Sequence, residues 1–217
     1  MGPGAGFCVG RAAGTVCADF TAGDSADVFT PRTVGGGALS GPAGSPRAVT
    51  ASVPSSQNKD EASLTATTTA SATWVEGDVV FEVADAPKDG TYTEVMLLSV
   101  DYVGDYYEVE LVLPSRTDQN ATLGEYSDSG KSGPGHPLDR RLIPGVHRAT
   151  MRLELASAGS GKASIRLDGA AAFEFAVSPP QAKARQLGVQ AGVVYVDSPH
   201  DPWAVRIHAL AFSSGTL

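Results

Sequence analysis

From residue 60 onward the apolar side chains of this chain fall on every second position, and no other feature narrows its folding options as much. In the stretch 106–113, Tyr107, Val109, Leu111 and Leu113 share one side, opposite Glu108 and Glu110. Val79, Phe81 and Val83 alternate with Glu82, and Ala149, Met151, Leu153 and Leu155 alternate with Arg148, Arg152 and Glu154. A β-strand sends successive side chains to opposite faces, so this period of two predicts strands with one face in a core. The denser run Val95-Met96-Leu97-Leu98 predicts a strand covered on both faces. Ile165 and Leu167, then Asp168-Gly169, then Phe173, Phe175 and Val177 predict a hairpin, because Asp-Gly suits a turn with positive φ at both central residues.

Few segments run ten residues without Gly, Pro or a β-branched pair, so a helical reading does worse. The chain has 25 Gly and 14 Pro, a supply of turn residues that suits many short strands. With 217 residues and 42% hydrophobic composition it is long enough to bury a sizeable core as one unit. The expectation is an all-β, two-sheet sandwich over residues 20–217, preceded by an N-terminal extension, 1–19. Residues 1–60 show little periodicity beyond 48–53 and are expected to wrap the sandwich and add outer strands. Residues 116–137 are polar and rich in Gly and Ser, which predicts a long surface loop. Residues 181–187 predict a short helical turn, with 187–196 and 203–212 as the last strands.

Charge excludes one class of partner. Acidic residues outnumber basic ones by 24 to 16, for a net charge of −8. Nucleic acid requires clustered Lys and Arg, and the densest basic spot is Arg140-Arg141. No apolar run is long enough for a transmembrane helix. The first residues have neither a basic nor an apolar leader region, so a secreted protein is expected to have lost its leader. Cys8 and Cys17 can close a small loop, where a disulfide would contribute roughly 2–3 kcal/mol; a pair of free thiols is the alternative. A thiolate metal site lacks neighbours, because His136, His147, His200 and His208 all lie far along the chain.

Several local patterns resemble the concanavalin A-like lectin and glucanase superfamily, especially its laminin-G-like members. The run from Thr91 to Leu113 is similar to that group's long hairpin. Residues 145–153 (Gly-Val-His-Arg-Ala-Thr-Met-Arg-Leu) resemble its W-H-x-V-x-L strand, with Val146 where an aromatic is usual. Ile165-Arg166-Leu167-Asp168-Gly169 looks like the strand and turn that follow, and 204–212 resembles the closing strand. Val16-Cys17-Ala18-Asp19-Phe20 is similar to the start of bacterial secreted or lipoprotein members. The resemblance implies an antiparallel jelly roll and a secreted, cell-surface or periplasmic protein. Its hosts include lectins, hydrolases, lyases and adhesion modules, so fold alone assigns no function.

Retaining glucanases of that group carry Glu-x-Asp-x-Glu on one strand face. Tyr106-x-Glu108-x-Glu110 is the nearest match, with a phenol at the first acidic position. Glu108 and Glu110 stand about 7 Å apart along a strand, a spacing compatible with glycoside hydrolysis; alternating Glu is also what a solvated sheet face produces. A sugar-binding site would need aromatic platforms edged by polar groups, for which Tyr92, Tyr102, Tyr106 and Tyr126 are candidates. Tyr102 and Tyr106 flank a turn and are expected to be exposed, whereas Trp74 and Trp203 are expected to pack in the core. Some members of the superfamily bind calcium, for which Asp101 and Asp105 are candidate ligands. No HExxH, no G-x-S-x-G and no complete P-loop occurs. The expectation is a non-catalytic module that binds glycan, with a glycoside hydrolase, a polysaccharide lyase or a purely structural sandwich as alternatives.

Overall fold

The computed structural model describes residues 6–41, 48–69, 72–86, 93–114, 119–128, 135–157, 159–180, 184–196 and 201–216. In chain order the first strands are β1 (Val16–Asp19), β2 (Thr30–Val34), β3 (Ala38–Ser40), β4 (Val49–Val53) and β5 (Asp60–Thr69). They are followed by β6 (Trp74–Val83), β7 (Thr93–Tyr102), β8 (Asp105–Leu113), β9 (Thr122–Ser127) and β10 (His136–Pro137). The last are β11 (Gly145–Ser157), β12 (Ser160–Leu167), β13 (Phe173–Val177), β14 (Gln186–Val196) and β15 (Trp203–Gly215). The only helical element among the described residues is a single 3₁₀ turn, Ala26–Val28.

Two antiparallel sheets form the sandwich. One, the back sheet, has the order β13-β12-β11-β6-β15-β4-β3, with β1 paired to the second half of β15. The other, the front sheet, has the order β10-β9-β8-β7-β14-β5-β2. The inward positions follow the alternation in the sequence. Val79, Phe81, Val83, Met151 and Leu153 come from the back sheet, and Met96, Leu98, Val109, Leu111 and Leu187 from the front sheet. Each such side chain contributes about 1.5–3 kcal/mol when fully buried. Gly77 lies where the sheets approach: a Cβ there would come within 2.5 Å of the Met96 methyl and 2.6 Å of Val189.

The predicted hairpin is present as β12 and β13. Asp168 and Gly169 take φ of 50° and 74°, and the Ala170 N–H donates to the Leu167 carbonyl at 2.9 Å. The pair Val95-Met96 is buried on one side of β7 because a bulge between Glu94 and Met96 inserts an extra residue. That bulge matters below, since it turns Glu94 to the same face as Leu97, Ser99 and Asp101.

Other expectations need correction. Residues 116–137 do not form one long loop, because Thr122–Ser127 is a full strand paired with β8 and His136–Pro137 pairs with it in turn. Gln186 and Leu187 are strand residues, and 181–183 lie outside the described residues. Trp203 packs in the core with its indole N–H donating to the Asp85 carbonyl at 3.0 Å. Trp74 instead lies half-buried on the outer face of the back sheet, with the Arg152 guanidinium 4.1 Å from its ring centroid.

Cys8 and Cys17 are bonded, with Cα atoms 5.8 Å apart, which ties the N-terminal loop to β1. The loop is also pinned through Asp19, whose buried carboxylate accepts N–H groups from Phe7, Thr21 and Ala22. It lies over the back sheet, where Phe7 meets the guanidinium of Arg11 at 4.3 Å and that of Arg148 at 5.3 Å.

Candidate functional site

The outer face of the front sheet carries a groove of about 1130 Å³. Its lining comes from β2, β5, β14, β7, β8 and β9, six strands adjacent in the sheet. The groove therefore runs across the strands for five inter-strand steps, about 24 Å at ordinary strand spacing. Gly188 keeps its floor low: a Cβ there would lie 2.9 Å from the Ser99 hydroxyl oxygen and 3.3 Å from Thr67.

Period two explains which side chains reach it. On β8, Tyr106, Glu108, Glu110 and Val112 face the groove, while Tyr107, Val109, Leu111 and Leu113 enter the core. On β7 the bulge makes Glu94, Leu97, Ser99 and Asp101 the groove-facing set. β9 adds Thr122, Gly124 and Tyr126, and β14 adds Gln186 and Gln190. At the opposite edge, Glu61 holds Arg32 in an ion pair at 2.8 Å. There also the Lys59 ammonium lies 4.7 Å from the centroid of the Tyr195 ring.

The sequence candidates are thus partly united. Tyr106 and Tyr126 form a tilted ring pair with centroids 5.7 Å apart at one end of the groove. Glu108 and Glu110 lie beside them. Tyr102 is not the exposed platform expected from its place at a turn: it is 5% exposed, and its side chain belongs to the core. Burial, with Asp105 nearby, raises its phenol pKa to about 12. Tyr92 lies outside the described residues, as do Asp118, Asp197 and His200. Asp101 and Asp105 line a second hollow with Asp128 and Arg185 at the end of the groove. Among the described residues no group of three or more His, Cys, Asp or Glu is placed to hold a metal ion.

Sequence reading missed Glu94, the most unusual carboxyl in the groove. It is 6% exposed, and its pKa is raised to about 9, first by burial and then by repulsion from Glu110, Glu108 and Glu61. Glu108 is raised to about 7, again by burial first and then by Glu110 and Asp101. Among the described residues neither carboxyl accepts a hydrogen bond or enters an ion pair. The signal for Glu94 is absent from the sequence, since its face depends on the bulge beside it.

The sandwich, its strand order and the position of its groove define a concanavalin A-like jelly roll. No family model matches the sequence, and no curated protein matches it. Solved structures do resemble it. An alginate lyase superposes with a TM-score of 0.61 at 9% identity, covering 91% of this chain and 96% of that one. An endo-beta-1,4-glucuronan lyase from the fungus Trichoderma reesei gives 0.61 at 13% identity, over 87% of this chain and 90% of that one. A beta-glucanase of Bacillus licheniformis gives 0.58 at 11% identity, covering 94% and 99%. These similarities establish the fold.

Proposed function

We propose that this protein is a glycan-binding module that lays a polysaccharide chain across the front-sheet groove without cleaving it. The observation that carries the reading is the groove itself: a cleft crossing six strands, with a tyrosine pair at one end and hydroxyl, amide and carboxyl groups along its floor. Sugar rings present apolar faces edged by hydroxyls, which such a surface complements. The titles of the similar structures, polysaccharide lyases and a glucanase, agree with a glycan as partner. The bond between Cys8 and Cys17 fits an oxidising compartment, and hence a secreted, cell-surface or periplasmic protein.

Two features argue against cleavage. Tyr106 stands where the resembled glucanase strand carries its first acid. Elimination from a uronate needs the substrate carboxylate neutralised, yet the cations lining the groove are Arg32, held by Glu61, and Lys59. One observation favours glycoside hydrolysis as a second reading: Glu108, with its pKa near neutrality, shares the groove face with Glu110.

A panel of soluble polysaccharides, followed by calorimetric titration of each hit, tests the binding reading. Binding is expected, and Tyr126→Ala should weaken it about tenfold through loss of a stacking platform. Absence of any binding at millimolar sugar would reject it. Reducing ends or unsaturated sugars released from the same panel would replace it with an enzyme.

A further inference from the structure

The groove has more buried negative charge than its own residues satisfy. Glu108 and Glu110 are neighbours on one face of β8, about 7 Å apart along the strand. Glu94 sits on the adjacent strand, in register with Val112, the next groove-facing residue after Glu110. Three carboxyls thus crowd into a patch spanning two strands. Glu110 is 4% exposed and Glu94 6%, and Glu94 and Glu108 have no hydrogen-bond partner among the described residues. A folded protein ordinarily pairs or bonds such groups, since a buried polar group left alone costs several kcal/mol on transfer scales. Lining cations lie toward the far edge, where Arg32 is bound to Glu61 and Lys59 stacks on Tyr195.

What a ligand must supply follows from this arrangement. A hydroxyl can donate to one carboxyl, but it leaves the repulsion among the three untouched. An ammonium donates up to three hydrogen bonds and reverses the sign of the field. A uronate would add a fourth carboxylate to the patch and would be repelled.

We propose that the groove is selective for glycans bearing protonated amino groups, a glucosamine-type chain, and that Glu94, Glu108 and Glu110 receive the ammonium ions beside the Tyr106–Tyr126 platform. This rests on the glycan-binding reading above and narrows it to one chemical class. Because Glu94 holds its proton near neutrality, binding of a cation at the patch displaces protons into solvent.

The test compares a glucosamine hexasaccharide with its fully N-acetylated counterpart and with a polyuronate hexasaccharide. Each is titrated calorimetrically near neutral pH in buffers of different ionisation heat. The amino sugar is expected to bind at least about tenfold more tightly than the N-acetylated chain. It should release protons on binding, while the uronate should be the weakest of the three. In a Glu94→Gln/Glu108→Gln variant, confirmed folded by circular dichroism, the preference should shrink to about twofold or less and the proton release should vanish. Equal binding of the amino and N-acetylated chains, or preference for the uronate, would overturn this inference while leaving the module a glycan binder. Failure of all three to bind, with no hit in the wider panel, would overturn both.

Discussion

The two outer faces of the sandwich carry acids at the same strand spacing and treat them oppositely. On the back sheet, each of the acids along the centre has a cation beside it. Asp78 receives both Arg148 and Arg11, the latter at 2.6 Å, and Glu154 receives Arg152 at 2.6 Å. Glu82 meets His208 at 3.1 Å and Arg206 at 3.4 Å, while Glu174 meets Lys162 at 2.8 Å. On the front sheet, Glu94 and Glu108 have no such neighbour and repel Glu110. An alternating Glu is thus uninformative until its cross-strand partners are known. Cross-strand charge pairs stabilise a sheet, whereas like charges side by side weaken it. A face that retains the second arrangement marks where a ligand is expected to complete the structure.

Removing a satisfied acid from the back sheet should have the largest effect. Burial opposes the charge on Asp78, but hydrogen bonds from Arg148 and Arg11 overcome it and hold the carboxyl below its ordinary pKa. Asp78→Ala would leave Arg11 and Arg148 without their shared acceptor and release the N-terminal loop that Arg11 anchors. A loss of about 2–3 kcal/mol is expected in urea unfolding, toward the low end for broken buried pairs because Arg148 is half exposed.

Removing an unsatisfied acid from the front sheet should do the reverse. The folded-state pKa values of Glu94 and Glu108 are raised, so the folded protein holds their protons where the unfolded chain has released them. Their stabilising contribution is complete below the unfolded value, near pH 4.5. It is lost as pH rises, through about 7 for Glu108 and about 9 for Glu94. Glu94→Gln should therefore flatten the fall in stability over that range and gain at least about 1 kcal/mol at alkaline pH, the equivalent of a one-unit shift. A variant less stable than the parent at alkaline pH would show that Glu94 is satisfied after all, and the contrast between faces would fail.

The smallest effect belongs to an exposed pair on the back sheet. Glu174 and Lys162 both leave about half their side-chain surface in water, so Glu174→Gln should change stability by less than about 0.5 kcal/mol. A larger loss would mean that pairing on this face is cooperative, which would sharpen the comparison.

Legibility followed the same divide between inward and outward positions. The strands through Phe81, Leu111, Met151 and Ile165 are evident from the sequence because each buried face is apolar and each outer face polar. β9 escapes that reading because an inward position is held by Glu125 and an outward one by Gly124. The Glu125 carboxylate is accommodated there by the Tyr107 hydroxyl, which donates to it at 2.6 Å. Tyr106 and Tyr126 are recognisable as aromatic candidates, but their pairing requires the β8–β9 register, which sets Glu108 opposite Tyr126. Tyr102 misleads because a residue beside a turn can still point between the sheets.

Local alternation determined that this chain makes half-buried strands, since a period of two has one cheap solution: one face inward, the next toward water. The Asp168-Gly169 turn and the bond between Cys8 and Cys17 were likewise within reach of local chemistry. Strand order, the bulge that turns Glu94 and the absence of a cation beside it belong to the tertiary structure alone. They depend on contacts between residues far apart in the chain, and the electrostatic environment of a carboxyl is set by what folding brings near it and by how much water folding removes.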